Sequence, residues 1–201
     1  MSIEIVRESA ADLAAYASVP IAFRVTETLD LASLPSRRES VELRTVPIAA
    51  PYEKDYDVHV GQRPLDWPLR FNVTNWAVLA AYLDGQRIGG ATVVMHDDSV
   101  DLREGRSDLA VLWDLRIAPA FRRSGVGTEL LSAAEQWARE QGAQEFKVET
   151  QHINVAACRF YARRGFVLGA VNPGAYAELP DEVQLFWYKS LFIAEVHVSS
   201  G

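Results

Sequence analysis

A glycine-containing loop at residues 122–127 is the segment best suited to binding a phosphate group. It reads RRSGVG and lies between a strand-like run and the start of a helical pattern. Backbone N–H groups at a helix start lack intrahelical partners and face the positive end of the helix dipole, so they attract anions. Gly125 and Gly127 would let a pyrophosphate approach this backbone, and Arg122 and Arg123 would add charge-assisted contacts.

The same loop can also be interpreted as a turn that joins a strand to a helix. It lacks the Lys-Ser or Lys-Thr of a P-loop, and the chain contains no G-x-G-x-x-G dinucleotide fingerprint. Other reactive residue types are weaker candidates. The single cysteine, Cys158, is expected to be a small buried apolar residue, and His152 a loop residue without a catalytic role. The histidines lack metal-ligand spacing, so we expect no metal.

The elements that would position this loop alternate between strands and helices after residue 71. Six strands are predicted there from apolar and β-branched runs: 76–83, 88–95, 110–117, 145–150, 166–171 and 183–191. The first two flank Asp84-Gly85, which is a strong hairpin signal. Helices are predicted over about 126–141 and 154–164, because apolar residues of the first recur on one face.

The first 70 residues show a weaker pattern. A short alternating start at Ile3 and Ile5 precedes a helical stretch around 10–17, and strand-like runs follow near 21–26 and 41–46. Residues 51–70 combine three prolines with several aromatic residues, and they predict a long loop over a groove.

The composition is that of an ordinary globular protein with a mixed α/β pattern. The chain has 201 residues, of which 49% are hydrophobic, and a formal net charge of −7. The acidic balance disfavours nucleic acid as a partner. No apolar run approaches the roughly 20 residues of a membrane span. The N-terminus has no signal-peptide pattern, so a cytoplasmic location is expected.

Two motifs in the second half resemble those of the GNAT superfamily of acyl-CoA-dependent N-acetyltransferases. The first, Gln/Arg-x-x-Gly-x-Gly/Ala, is met by Arg122, Gly125 and Gly127. The second is met by Asn154, Ala157, Phe160-Tyr161 and Gly165-Phe166. The resemblance implies an α/β (mixed α+β) GNAT fold. Its central mixed sheet of about six to seven strands is splayed between two parallel core strands and flanked by helices.

Within the superfamily the chain is similar to streptothricin acetyltransferases over roughly residues 50–190. Matching stretches include APYEKDY (50–56) and EVQLFWY (182–188). The chain departs from them after residue 56, where DVHVGQRP replaces a run of acids, and at Trp113, where they tend to carry Glu. Both changes remove negative charge, so the resemblance carries over the fold and the chemistry but not the substrate.

The resemblance implies that acetyl-CoA binds along the first core strand and the glycine loop. Backbone groups of residues 115–117 would pair with pantetheine as an added strand, and one N–H would polarise the thioester carbonyl. Asn154 would hold the cofactor arm, a role compatible with capping the following helix. The expected cofactor-binding residues are Leu115, Arg116, Ile117, Arg122, Arg123, Ser124, Gly125, Val126, Gly127, Thr128 and Asn154.

The resemblance also suggests catalytic residues. Tyr161 would protonate the leaving thiolate, although a core aromatic is the alternative interpretation. The base is left open between Glu149, Asp114, a residue of the 51–70 loop and ordered water. Glu149 matches the proton acceptor of bacterial acetyltransferases that modify ribosomal-protein N-termini.

The face on which Asp114 lies gives it an alternative role. Strand alternation places Asp114 and Arg116 on one face, where they could form an ion pair, and Trp113, Leu115 and Ile117 on the other.

We therefore expect an acetyl-CoA-dependent N-acetyltransferase acting on a primary amine of a small molecule, for which an aminated antibiotic is one candidate. Transfer would be direct, in a ternary complex. The acceptor pocket would be lined from the long loop, by Tyr52, Asp55, Tyr56, Asp57 and Trp67, unless that loop is simply solvated. The alternatives are a protein N-terminal or lysine acetyltransferase, favoured by a flat cleft, and a non-catalytic acyl-CoA-binding module.

The predicted domain organisation is a single domain in two regions. Residues 1–70 supply N-terminal strands, a helix and the acceptor-side loop, and residues 71–201 form the acetyl-CoA-binding core. No membrane partner is expected, and a homodimer through the C-terminal strands is one option.

Overall fold

The computed structural model describes residues 2–35 and 38–192. The helices and longer strands of these residues are β1 (Glu4–Glu8), α1 (Leu13–Ala17), β2 (Phe23–Leu29), β3 (Thr45–Lys54), β4 (Ala77–Leu83), β5 (Gln86–Val94), β6 (Leu109–Ile117), α2 (Val126–Glu140), β7 (Glu145–Gln151), α3 (Val155–Arg163), β8 (Val167–Asn172) and β9 (Gln184–Ser190). Short 3-10 turns connect several of them.

One mixed sheet organises the fold. Its strand order is β1-β4-β5-β6-β7-β9-β8, and a separate two-stranded sheet joins β2 to β3. Of the neighbouring pairs in the large sheet, β6 and β7 are parallel and the others are antiparallel. This confirms the predicted GNAT fold with its mixed sheet of about seven strands.

The parallel strands β6 and β7 separate before they end. Their pairing runs from Leu109–Glu145 to Leu112–Val148. Beyond these pairs, β6 continues to Ile117 and β7 pairs only with β9, on its other side. The two strand ends therefore diverge and open a cleft between them.

An irregularity in β6 overturns the predicted facing of Trp113. Thr92 of β5 pairs with Asp114 and Val93 pairs with Leu112, so the register skips Trp113 as in a β-bulge. Trp113 therefore does not share a face with Leu115 and Ile117. It packs with an aromatic cluster, whereas Leu115 and Ile117 pack against the main core.

Two apolar clusters cover the two faces of the sheet. The main core joins the sheet to α2 and α3, and α2 contributes the predicted apolar face: Leu130, Leu131, Ala134, Trp137 and Ala138. The smaller cluster, called here the aromatic cluster, contains Leu13, Tyr16, Trp67, Trp76, Val78, Val94 and Val100, with Phe71, Val73, Leu102 and Trp113 packed against it.

The N-terminal region departs most from the sequence-based prediction. The strand expected near 41–46 is β3, which begins at Thr45 and extends to Lys54, so residues 51–54 belong to a strand rather than to a loop. Residues 56–58 and 64–69 form 3-10 turns. Trp67 is 1% exposed, so it anchors this segment in the aromatic cluster.

Candidate active site

A cleft of about 940 Å³ lies where β6 and β7 diverge. Its walls come from four parts of the chain that the fold brings together: the ends of β6 and β7, the loop before α2, helix α3, and the segment 56–67. Such a cleft at the divergence of two strands is large enough for an extended ligand.

The cleft edge of β6 carries backbone groups available for pairing. The N–H of Ala118 donates to the carbonyl of Ile88 at 2.9 Å, so even-numbered residues at this end of β6 direct their N–H groups toward β5. The N–H groups of Leu115 and Ile117 consequently point into the cleft. An extended ligand can pair with this edge as an added strand.

The glycine loop has the backbone shape of an anion site. Arg123 and Gly125 have positive φ values of 67° and 97°. The N–H groups of Thr128 and Glu129 both bind the carbonyl of Gly125. The N–H groups of Val126 and Gly127, at the first two helix positions, have no intrahelical acceptor and can bind phosphate oxygens.

Several side chains of the loop make contacts within the protein. Arg122 donates from Nε to the carbonyl of Ile117 at 3.0 Å, and Ser124 donates to the carbonyl of Phe121 at 2.6 Å. Val126 is buried in the core. Arg122 lines the cleft, whereas the side chains of Ser124 and Val126 do not. The other predicted cofactor residues all line it: Leu115, Arg116, Ile117, Arg123, Gly125, Gly127, Thr128 and Asn154.

Helix α3 presents a phenol to the cleft. Asn154 caps the helix, because its side chain accepts a hydrogen bond from the N–H of Ala157 at 3.2 Å. Tyr161 lines the cleft with 5% exposure, and its ring packs edge-on against Phe160 and Phe166. Burial, with the nearby Asp114 charge, raises the pKa of Tyr161 above 10.0, so its hydroxyl stays protonated at neutral pH.

Three arginines of the α3 region also line the cleft, and sequence reasoning missed them. They are Arg159, Arg163 and Arg164. Arg159 is paired with Glu27, while Arg164 donates to the hydroxyl of Thr128 at 2.5 Å. Their spacing on a predicted helix beside the glycine loop was the available signal, since one helix face brings such residues together.

The Glu149 carboxylate also lines the cleft, near the end of β7. Its Oε1 accepts a hydrogen bond from Tyr176 at 2.5 Å and a longer one from Gln151 at 3.4 Å. Tyr56 in turn donates to the side-chain oxygen of Gln151. Sequence reasoning missed Gln151 and Tyr176.

Asp114 and Arg116 form the ion pair that alternation indicated. The guanidinium of Arg116 is fully buried and binds both oxygens of Asp114, as well as Asp57 at 2.9 and 3.3 Å. Burial alone would lower the pKa of Arg116, but these carboxylates raise it. Arg116 therefore stays charged and holds the 56–58 turn against β6.

The segment 55–67 supplies part of the predicted acceptor wall. Tyr56, Asp57 and Trp67 line the cleft as expected. Tyr52 and Asp55 do not: Tyr52 is 43% exposed on the β2–β3 hairpin, and Asp55 caps the following 3-10 turn through the N–H of Asp57. Gln62 completes this wall.

Cys158 and His152 have structural contacts. Cys158 is buried, and burial raises the pKa of its thiol to about 12, which keeps it un-ionised. His152 is also buried, which lowers its pKa, and its Nδ1 accepts a hydrogen bond from the N–H of Val183 at 3.1 Å.

Within residues 2–35 and 38–192, no helix has the length and apolarity needed to cross a membrane. The same residues contain no group of three or more His, Cys, Asp or Glu side chains placed to hold a metal ion.

The fold, the open β6 edge and the glycine loop define the protein class. Residues 44–166 match the model of the acetyltransferase (GNAT) family, and this chain belongs to that family.

Among curated relatives, the chain is 38% identical over 91 residues to streptothricin acetyltransferase A of Bacillus subtilis strain 168. That match covers 44% of this chain and 53% of the relative, so the chain spans about half of the relative's length. It is 28% identical over 153 residues to the streptothricin acetyltransferase of Escherichia coli, covering 75% of this chain and 76% of that one.

A crystal structure from Bacillus anthracis str. Ames is similar over nearly the whole chain. Its protein carries a provisional assignment as a streptothricin acetyltransferase and is in complex with acetyl coenzyme A. The TM-score is 0.72 at 28% identity, and the match covers 94% of this chain and 99% of that one.

Proposed function

We propose that this protein transfers an acetyl group from acetyl-CoA to a primary amine of a small molecule, directly within a ternary complex. The proposal depends mainly on one observation: the open edge of β6 and the start of α2 share a cleft with a buried phenol and a carboxylate. The similar B. anthracis structure contains acetyl coenzyme A, which supports the same donor here.

The charged residues that line the cleft suggest a donor half and an acceptor half. Arg123 lies in the glycine loop, and Arg164 donates to Thr128 at the start of α2, where the pyrophosphate of the donor would bind. Asp57, Asp114 and Glu149 also line the cleft, and Arg116 is paired with the first two. These carboxylates would form an acceptor half suited to a cationic amine.

Glu149 and Tyr161 would each transfer one proton during the reaction. Acetyl-CoA supplies the acetyl group as a thioester. Glu149 would take a proton from the ammonium group, since only the neutral amine has a lone pair for attack. An N–H of the β6 edge would donate to the carbonyl oxygen.

The second proton would come from Tyr161. As the new carbon–nitrogen bond forms and the carbon–sulfur bond breaks, Tyr161 would give its phenol proton to the sulfur. The surplus proton of the new amide nitrogen restores the phenol, and Glu149 releases its own to solvent. The net reaction converts an ammonium group and the thioester to an amide, a free thiol and one proton.

A small acceptor fits the cleft better than a protein substrate does. The segment carrying Tyr56, Asp57 and Gln62 walls the acceptor half, whereas a protein acetyltransferase needs an open surface there. The names of the B. subtilis and E. coli relatives point to streptothricin as the first acceptor to test.

The test is release of free thiol from acetyl-CoA with a panel of acceptors. The panel contains streptothricin, aminoglycosides, small primary amines and N-terminal peptides, and Tyr161→Phe and Glu149→Gln are assayed beside the wild type. Turnover on a small amine that falls in both variants is the expected result. Turnover confined to peptides would favour the protein acetyltransferase. Acetyl-CoA binding without turnover would favour the binding module.

A further inference from the structure

A directed chain of hydrogen bonds ends on Glu149. Tyr56 donates to the side-chain oxygen of Gln151. The amide nitrogen of Gln151 donates to the hydroxyl of Tyr176 at 2.7 Å, and that hydroxyl donates to Oε1 of Glu149 at 2.5 Å. Every donor in this chain points toward the Glu149 carboxylate.

Tyr176 reaches Glu149 from outside the cleft. It lies in the connection between β8 and β9, and it is not among the described residues that line the cleft. Burial and the charge of Glu149 raise the pKa of Tyr176 above 10.0, so its hydroxyl keeps the proton it donates. Tyr176 is thus placed to hold Glu149 without touching a substrate.

We propose that Tyr176 is a positioning residue that fixes Glu149 with its second oxygen, Oε2, open to the acceptor amine. This inference rests on the proposed role of Glu149 as the base. Within the described part of the chain, Oε1 of Glu149 accepts the hydrogen bonds from Tyr176 and Gln151, and Oε2 accepts none. A carboxylate held at one oxygen has the other in a defined place, as proton transfer requires.

Other titratable groups lie near the hydrogen bond between Tyr176 and Glu149. Tyr56 faces Glu149 through Gln151, and the buried ion pair of Lys54 with Glu182 lies beyond Tyr56. Substitution of Tyr176 removes none of these groups, so it tests the tyrosine that donates directly to Glu149.

The test is Tyr176→Phe, which keeps the ring and removes the hydroxyl. We expect kcat/KM for the amine to fall about 10-fold, because a misplaced catalytic group loses effective concentration. The Kd for acetyl-CoA should stay unchanged.

A matched control is Tyr82→Phe. The hydroxyl of Tyr82 also donates to a carboxylate, that of Glu8, at 2.7 Å. Tyr82 lies on β4 and does not line the cleft. This variant should keep the wild-type kcat/KM for the amine. The double variant Tyr176→Phe with Glu149→Gln should be no slower than Glu149→Gln alone, because both changes act through one group.

The outcomes separate this inference from the proposed function. If Glu149→Gln loses turnover while Tyr176→Phe turns over at the wild-type rate, the role of Tyr176 is wrong and the assignment of Glu149 as the base is retained. An active Glu149→Gln enzyme would overturn both. A crystal structure of Tyr176→Phe gives a readout independent of turnover: a shifted Glu149 carboxylate supports the inference, and an unmoved one contradicts it.

Discussion

Arg116 and Asp114 are locked together on β6 by two parallel hydrogen bonds, of 2.9 and 2.8 Å. The hydroxyl of Tyr16 donates to the same carboxylate at 2.6 Å. Both oxygens of Asp114 are therefore engaged, and its side chain is 8% exposed. This supports Glu149 instead of Asp114 as the proposed base.

Asp114→Asn should lower the free energy of unfolding strongly and change kcat only modestly. The amide turns a donor toward the buried Arg116 guanidinium, and breaking such a buried pair costs about 3–5 kcal/mol. We expect a loss of this size in the free energy of unfolding, measured by urea denaturation. At a temperature where the variant is folded, kcat should remain within about 10-fold of wild type.

Glu149→Gln should show the opposite pattern, a large loss of kcat with little loss of stability. Its free energy of unfolding should stay within about 1 kcal/mol of wild type, while kcat falls about 100-fold or more. If instead Asp114→Asn loses kcat and keeps its stability, while Glu149→Gln loses stability and keeps its kcat, Asp114 is the base.

The two glycines of the loop should separate stability from acetyl-CoA binding. A Cβ at Gly125 meets no atom within 4 Å, but the φ of 97° strains any other residue there. Gly125→Ala should therefore cost about 1–2 kcal/mol of unfolding free energy. A Cβ at Gly127 would lie 3.6 Å from Phe160, an ordinary contact, in a conformation that alanine tolerates.

Gly127→Ala should consequently fold as stably as wild type and, since the family motif accepts alanine at this position, bind acetyl-CoA with an unchanged Kd. Gly127→Leu should bind acetyl-CoA more weakly, because its longer side chain would stand where the pyrophosphate approaches the N–H groups of the helix start. Calorimetric titration with acetyl-CoA checks the Kd, and thermal denaturation checks the fold. An unchanged Kd in Gly127→Leu would contradict pyrophosphate binding at this loop.

Elements with local signals could be predicted from the sequence to within one or two residues. Asp84 and Gly85 have φ values of 49° and 78°, as a two-residue hairpin requires, and α2 ends near its predicted boundary. The extent of β3 could not be predicted, because most of its residues are exposed and it lacks an alternating apolar pattern. The facing of Trp113 depends on pairing with β5, which is not a local property.

In the candidate site too, the parts formed by contiguous motifs could be predicted, and the contacts between distant residues could not. The glycine loop and the Asn154–Tyr161 stretch are contiguous motifs, so sequence spacing indicates them. Tyr176 contacts Glu149 across 27 residues of chain, within a connection that has no periodic pattern. The contacts of Arg116 with Asp57 span 59 residues. Such contacts arise from tertiary packing alone.

Tyr161→Phe should lower kcat about 100-fold with little change in stability or in the Kd for acetyl-CoA. Phenylalanine preserves the ring contacts with Phe160 and Phe166. Because the pKa of Tyr161 is raised above 10.0, wild-type kcat should show no alkaline fall from its ionisation up to about pH 9.5. A kcat limb below that pH that disappears in Tyr161→Phe would contradict this protonation state.

Trp67→Leu should weaken acceptor binding as well as the fold. Trp67 is buried in the aromatic cluster, and its Nε1 donates to the carbonyl of Gln62 at 2.9 Å. Since Gln62 lines the acceptor half of the cleft, loss of this anchor should loosen that wall. We expect about 3 kcal/mol less unfolding free energy and a raised KM for the amine, with an unchanged Kd for acetyl-CoA.

Trp137→Leu is the matched control for Trp67→Leu. Trp137 is similarly buried, but it packs on α2 in the main core and does not line the cleft. Its substitution should lower stability comparably and leave the amine KM unchanged, because no segment of the acceptor wall rests on it. Equal rises in amine KM in the two variants would attribute the effect to general destabilisation instead of the wall at Gln62.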